Sequence, residues 1–225
     1  MSREKVIVSW SGGKDSAASV YEVIAGTEYD IAALLTTVTT EYERVSMHGV
    51  RRCLVERQAQ SMGIALEQVY ISKDDTEQDY ANAMREVLQR YQRKGVSGVV
   101  FGDIHLAEVR KYREENLSRV GMRAIFPVWA RDTTAFAHQL IEAGFKAVVT
   151  CVDRNALDEK FAGRAFDRQF LAELPAGLDR CGENGEFHCF AYDGPIFRRP
   201  IGFSTGATVL REERFFYCDL IPDGD

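Results

Sequence analysis

Two short stretches hold most of the chemistry that this sequence can perform. The first is Ser11-Gly12-Gly13-Lys14-Asp15-Ser16, set between an apolar run at residues 5–10 and a helical pattern over residues 14–25. Gly12 and Gly13 lack side chains, so the backbone can turn tightly and bring its N–H groups against an anion. The helix that follows directs its positive end at the same place. Ser11 and Ser16 add hydroxyl donors, and Lys14 adds a charge able to neutralise phosphate oxygens. Asp15 repels phosphate unless a divalent cation lies between them, which makes it the candidate Mg2+ ligand. Spacing excludes two other glycine loops. G-x-x-x-x-G-K-[ST] fails at Val8 and Asp15, and G-x-G-x-x-G lacks its third glycine.

The second stretch is Cys181-Gly182-Glu183-Asn184-Gly185-Glu186-Phe187-His188, followed by Tyr192-Asp193-Gly194-Pro195. Two acids, an amide and an imidazole lie close together, separated by glycines that let several polar groups reach one point. The same segment also reads as a hairpin turn, because Asn-Gly between extended segments is a strong hairpin signal. The two readings are compatible. Lesser candidates surround them. Asp103 either positions Mg2+ or an acceptor, or caps the helix that follows it. His48 either contacts a ligand or caps the second helix. Arg110 and Arg113 share a helix face, which suits carboxylate or phosphate recognition and equally a solvated surface. Cys181 and Cys189 are redox partners or metal ligands, or simply reduced thiols.

The elements that must position these groups alternate. Strands are expected at 5–10, 31–38, 66–71, 98–101 and 145–151, and helices at 14–25, 48–62, 77–94, 104–120 and 132–143. Continuous apolar strands separated by helices indicate an α/β fold, a parallel sheet with helices on both faces. Ligands then collect at the carboxyl ends of its strands. After about residue 155 the texture shifts to Gly, Pro and aromatic residues, with a last strand at 214–221. The expected division is a nucleotide-binding part at 1–155 and a smaller, β-containing acceptor part at 156–225.

Bulk properties narrow the function further. The chain has 225 residues, 45% hydrophobic and 28% charged, the profile of a globular protein with a substantial core. Lys+Arg 28 against Asp+Glu 34 leaves a charge of −6, which disfavours the basic face that long nucleic acids require. There is no signal peptide pattern and no apolar run long enough to span a membrane, so a cytoplasmic protein is expected. The five cysteines include no C-x-x-C, in keeping with reduced thiols.

SGGKDS resembles the PP-loop of the N-type ATP pyrophosphatase superfamily, whose members resemble one another in a parallel sheet of order 3-2-1-4-5. GENGEFH followed by YDGPIF resembles the signature of the diphthine–ammonia ligase family (the diphthamide synthase ATP-binding domain family). MHGVRR, FGDIHLAEVRKYRE and CVD are similar in the same way, so the resemblance spans nearly the whole chain. The texture is similar to that of shorter, bacterial-type members. The resemblance implies ATP as cosubstrate with Mg2+, cleavage to AMP and pyrophosphate, and an adenylated carboxylate displaced by ammonia. In the family the acceptor is diphthine, a modified histidine on a translation elongation factor. Ser11, Gly12, Gly13, Lys14, Asp15 and Ser16 are then expected to bind ATP, with Lys14, Asp15, Glu183 and Glu186 catalytic. His48, Asp103, Arg110, Arg113, Asn184 and His188 are expected toward the acceptor. A homo-oligomer is compatible with the aromatic segments 126–129 and 215–217. Two rivals are weaker. A tRNA-modifying PP-loop enzyme usually brings cysteine pairs and a basic appendage, and a nucleotide sensor has no use for Lys14, Asp15 and GENGEFH together.

Overall fold

The first strand, β1 (Glu4–Ser9), sends alternate side chains to opposite faces of the sheet. Val6 and Val8 join one core cluster and Ile7 the other, so both faces must be covered. The computed structural model describes residues 3–46 and 48–224; Met47 of the MHGVRR segment lies outside them. After the glycine turn comes helix α1 (Lys14–Ala25), then β2 (Tyr29–Thr39), a two-residue strand β3 (Arg44–Val45), α2 (Arg52–Met62) and β4 (Leu66–Ile71). Next are α3 (Glu77–Arg93), β5 (Val96–Val100), α4 (Ala107–Ser118) and β6 (Arg123–Ile125). β1 pairs in parallel with β2 and β5, β2 with β4, and β5 with β6, while β3 runs antiparallel at the end of β2. Counting the parallel strands alone, the order is the expected 3-2-1-4-5.

Helix ends follow local chemistry. Thr76 caps α3 in a reciprocal capping box with Asp79, and Gly95 beyond its far end takes φ +83°. Helix α5 (Thr133–Glu142) is capped, as expected, by the Asp132 carboxylate on the Ala135 N–H. Two helices start later than the periodicity suggests. α2 begins at Arg52, so His48 lies in the loop before it and does not open the helix. α4 begins at Ala107 with Leu106 at the cap, so Asp103 caps nothing.

A correction concerns the apolar run at 145–151. It forms β7 (Lys146–Asp153), which leaves the parallel sheet and becomes a central strand of a second, antiparallel one. The remaining strands there are β8 (Phe187–Asp193), β9 (Phe203–Arg211) and β10 (Phe215–Pro222), in the order β8-β7-β10-β9. The fifth parallel strand is instead β6, only three residues long. Between β7 and β8 lie a 3-10 turn (Glu159–Phe161) and α6 (Arg168–Glu173). One continuous core joins the two sheets, running from Val6, Val8 and Leu54 through Phe136 to Phe170, Phe187 and Phe190. Among the described residues no helix is long and apolar enough to cross a membrane.

Candidate active site

The SGGKDS turn leaves the carboxyl end of β1 and enters α1. Gly12 takes φ +79°, a conformation that glycine adopts without strain. A Cβ on Gly13 would lie 3.0 Å from the His48 ring and 3.1 Å from the Cys189 carbonyl, so the second glycine is required by close packing. The hydroxyls of Ser11 and Ser16 approach to 3.3 Å, and the Ser16 hydroxyl donates to the Gly13 carbonyl at 2.9 Å. The turn after β5 touches the same backbone: a Cβ on Gly102 would lie 2.8 Å from the Asp15 carbonyl carbon. Glycine alone lets those two loops meet.

The Lys14 side chain is buried. Its ammonium group bonds to Asp15 at 2.8 Å and to the Cys181 carbonyl, beneath the rings of Phe166 and Phe187. Burial alone would lower its pKa, but Asp15 reverses this and holds it protonated. Burial pushes the Asp15 carboxyl upward, Lys14 pulls it back, and Asp179 and Asp103 push it up again. Among the described residues, the other oxygen of Asp15, Oδ1, is buried without a hydrogen-bond partner.

The GENGEFH segment is a loop that runs into β8, not a tight hairpin turn, since the element directly before it is α6 and not a strand. Its acids have divided tasks. Glu186 accepts from the Asn184 N–H at 3.0 Å and the Asn184 side-chain amide at 3.0 Å. Asp179 accepts from the N–H groups of Cys181 and Glu183 at 2.8 and 3.2 Å and from the Thr133 hydroxyl at 2.7 Å. Both brace the loop itself. Glu183 reaches across the cleft and accepts from the N–H groups of Ile104 and His105, at 2.6 and 3.3 Å, just beyond the end of β5. Burial raises the pKa of Glu183, and the charge of Asp15 adds to the rise.

His188 of β8 lies beside His48, ring centroids 4.7 Å apart. Burial lowers both imidazoles, and their neighbours lower them further: His188 and Lys14 act on His48, Lys14 on His188. The results are about 3 for His48 and about 4 for His188, so both are neutral near pH 7. Cys181 and Cys189 are buried free thiols, and burial pushes Cys189 up to about 12. No group of three or more metal-ligating side chains forms among the described residues.

The remaining candidates have partners of their own. Asp103 pairs with Arg113 through two contacts of 2.8 and 3.1 Å, and that guanidinium sits 4.3 Å over Phe101. Arg110 pairs with Glu114 and stacks over Trp129 and Phe126. Neither arginine offers a bare guanidinium to the cleft. Sequence reasoning missed Gln58, Asp179 and Trp10, which organise the site from behind. Asp179 had a faint signal, lying two residues before Cys181 in a polar loop.

Two family models divide the chain at the boundary between these sheets. The diphthamide synthase N-terminal domain matches residues 4–124, and the diphthamide synthase C-terminal domain matches residues 132–218. The chain belongs to the diphthamide synthase family. Among its relatives, the diphthine–ammonia ligase of Danio rerio is 26% identical over 94% of this chain and 91% of its own length. The Homo sapiens protein of that name is 26% identical over 92% of this chain and 85% of its own. In Schizosaccharomyces pombe the match is also 26%, confined to 63% of this chain and 24% of the relative. The family expected from SGGKDS and GENGEFH is therefore the family found.

Proposed function

We propose that this protein is an ATP-dependent, AMP-forming ligase that adenylates a diphthine-like carboxylate and lets ammonia displace AMP. The observation that carries the reading is the contact between the two motifs at the carboxyl end of β1, through Lys14 to the Cys181 carbonyl and Glu183 to the amides beyond β5. A glycine turn at a helix N-terminus suits the pyrophosphate that leaves, because its donors stabilise charge as it develops. The second loop then faces the reacting carbon, where an adenylate needs alignment and shelter from water.

Asp15 would hold Mg2+, an ion that prefers oxygen ligands and is commonly held by one or two carboxylates, and the ion would supply charge neutralisation beside the turn. The unpartnered Oδ1 of Asp15, pressed by nearby carboxylates, supports this placement. The cation would offset phosphate charge and lower the repulsion at Asp15. Lys14, engaged with Asp15 and the second loop, acts as a brace whose charge reaches the phosphates from beneath. Ammonium must lose a proton before it attacks. At about 3 and 4, His48 and His188 are too weakly basic to take it, and they serve as neutral hydrogen-bonding groups. Glu183, with its carboxyl raised, is the better proton acceptor. Glu186 and Asn184 keep the loop in shape for it. We assign the part built on the parallel sheet to nucleotide binding and the part built on the antiparallel sheet to the acceptor.

The test is to incubate the protein with ATP, Mg2+, ammonium and a diphthine-bearing elongation factor. Acceptor-dependent AMP and pyrophosphate are expected. ADP and phosphate, or no dependence on acceptor, would overturn the proposal.

A further inference from the structure

Behind the glycine turn lies a side chain that the proposed mechanism leaves unused. Gln58 of α2 is fully buried, an expensive place for a primary amide unless its donors and acceptor are matched. Here they are. Nε2 donates to the Gly12 carbonyl at 2.9 Å and the Ala191 carbonyl at 2.6 Å, and Oε1 accepts from the Trp10 indole at 3.0 Å. Two carbonyls and one N–H permit a single orientation of the amide. Gly12 takes a second bond from the Ala191 N–H at 2.8 Å, so its carbonyl is held twice, once from α2 and once from β8.

We propose that Gln58 is a positioning residue that aims the glycine turn at its phosphate ligand. The reason is the planar trans peptide, in which C=O and the next N–H point in opposite directions. With the Gly12 carbonyl anchored inward, the Gly13 N–H must face the other way, toward the Ser11 hydroxyl at 3.3 Å and the anion side of the turn. Gln58 also leaves no room for a side chain at Gly12, where a Cβ would lie 2.9 Å from Oε1. One amide thus joins α2, the turn and the second sheet, and fixes the direction of a phosphate donor without touching phosphate. The inference rests on the reading of residues 11–16 as a pyrophosphate site.

Gln58→Glu separates this role from simple packing. The carboxylic acid is nearly isosteric, accepts from Trp10 and donates one O–H to a carbonyl. The carboxylate faces two carbonyl oxygens and repels both. Pyrophosphate binding in the presence of Mg2+ would be measured by calorimetry on the full chain at pH 6.0 and 8.5, relative to wild type at each pH. Gln58→Glu should lie within about threefold of wild type at the lower pH and fall about tenfold or more at the higher, and Gln58→Met should be about tenfold weaker at both. Near-UV circular dichroism checks that the variants are folded. Gln58→Glu that tracks wild type at both pH values, or Gln58→Met with unaltered affinity, would overturn the inference alone. A wild-type protein that does not bind pyrophosphate would remove the site reading and this inference together.

Discussion

The two motif loops touch, Lys14 of the first bonding to the Cys181 carbonyl at the start of the second, but they are stiffened by opposite means. The SGGKDS turn is held through its backbone: Gly12 is anchored from behind, a ring and a carbonyl leave no room for a side chain on Gly13, and the two serine hydroxyls face each other. The GENGEFH loop is held through its charges, with Glu186 and Asp179 spending their oxygens on the loop's own N–H groups. A turn held by bonds to its carbonyls has the direction of its N–H groups set for it, whereas a carboxylate-held loop consumes its most reactive groups as braces. Of the two glutamates of GENGEFH, Glu183 is the one that crosses, accepting from the N–H groups of Ile104 and His105. Acidity in a motif therefore says little about which acid does chemistry until its hydrogen bonds are traced.

The sharpest way to break this comparison is Asp15→Asn. If Asp15 serves charge stabilisation, acceptor-dependent AMP release should drop about 10²–10³-fold with circular dichroism unchanged. Unaltered turnover with a normal Mg2+ requirement would sink the assignment. Next come the two glutamates as their amides. Glu183→Gln still accepts from the Ile104 N–H but cannot take a proton, and should lose about a hundredfold in turnover with ATP affinity within a few-fold. Glu186→Gln keeps an acceptor for the Asn184 N–H and should stay within about fivefold of wild type, whereas Glu186→Ala abolishes acceptor-dependent release by slackening the loop. Equal losses for the two amides would erase the distinction between brace and base.

A smaller effect is expected from the imidazole pair. His48 and His188 are held at about 3 and about 4 in the folded chain, below the ordinary histidine value of about 6.5, so the unfolded chain binds more protons in between. Stability should be full above that value and be lost as pH falls toward 4, each ring adding at most about 1.4 kcal/mol per pH unit. Thermal midpoints measured from pH 7 to pH 4.5 should fall less steeply in His48→Gln and His188→Gln. Midpoints that track wild type would show that the pair is not buried as described. The smallest effect belongs to Arg110→Ala, which loses a half-exposed ion pair and two ring contacts. Activity within about twofold of wild type and a stability change under about 1 kcal/mol are expected. A large activity loss would return Arg110 to the acceptor site.

Much of this was legible in advance. The turn, α1, the Asp132 cap and the strand order follow from residues whose local preferences agree with the fold. What was not legible has physical causes. β7 is buried along nearly its whole length, and a continuous apolar run reports burial on both faces, not the direction of the neighbouring strands. β6 is too short to establish an alternation. Gln58 was hidden because a polar residue in an amphipathic helix reads as its solvated face, and nothing local distinguishes a buried amide whose partners lie 46, 48 and 133 residues away. Lys14 meets the same limit. Its sequence neighbours suggested a phosphate, and its spatial neighbours are a carboxylate, a carbonyl and two rings.

Cys181 and Cys189 lie buried on the second region, flanking Lys14, while Cys53 on α2 is partly accessible. A thiol reagent can label Cys53 directly, but it reaches the buried pair only during excursions that open the structure around them. Their modification rate is then a clock for the breathing of the cleft. A nucleotide that bridges the two sides would slow that clock while leaving the Cys53 rate unchanged.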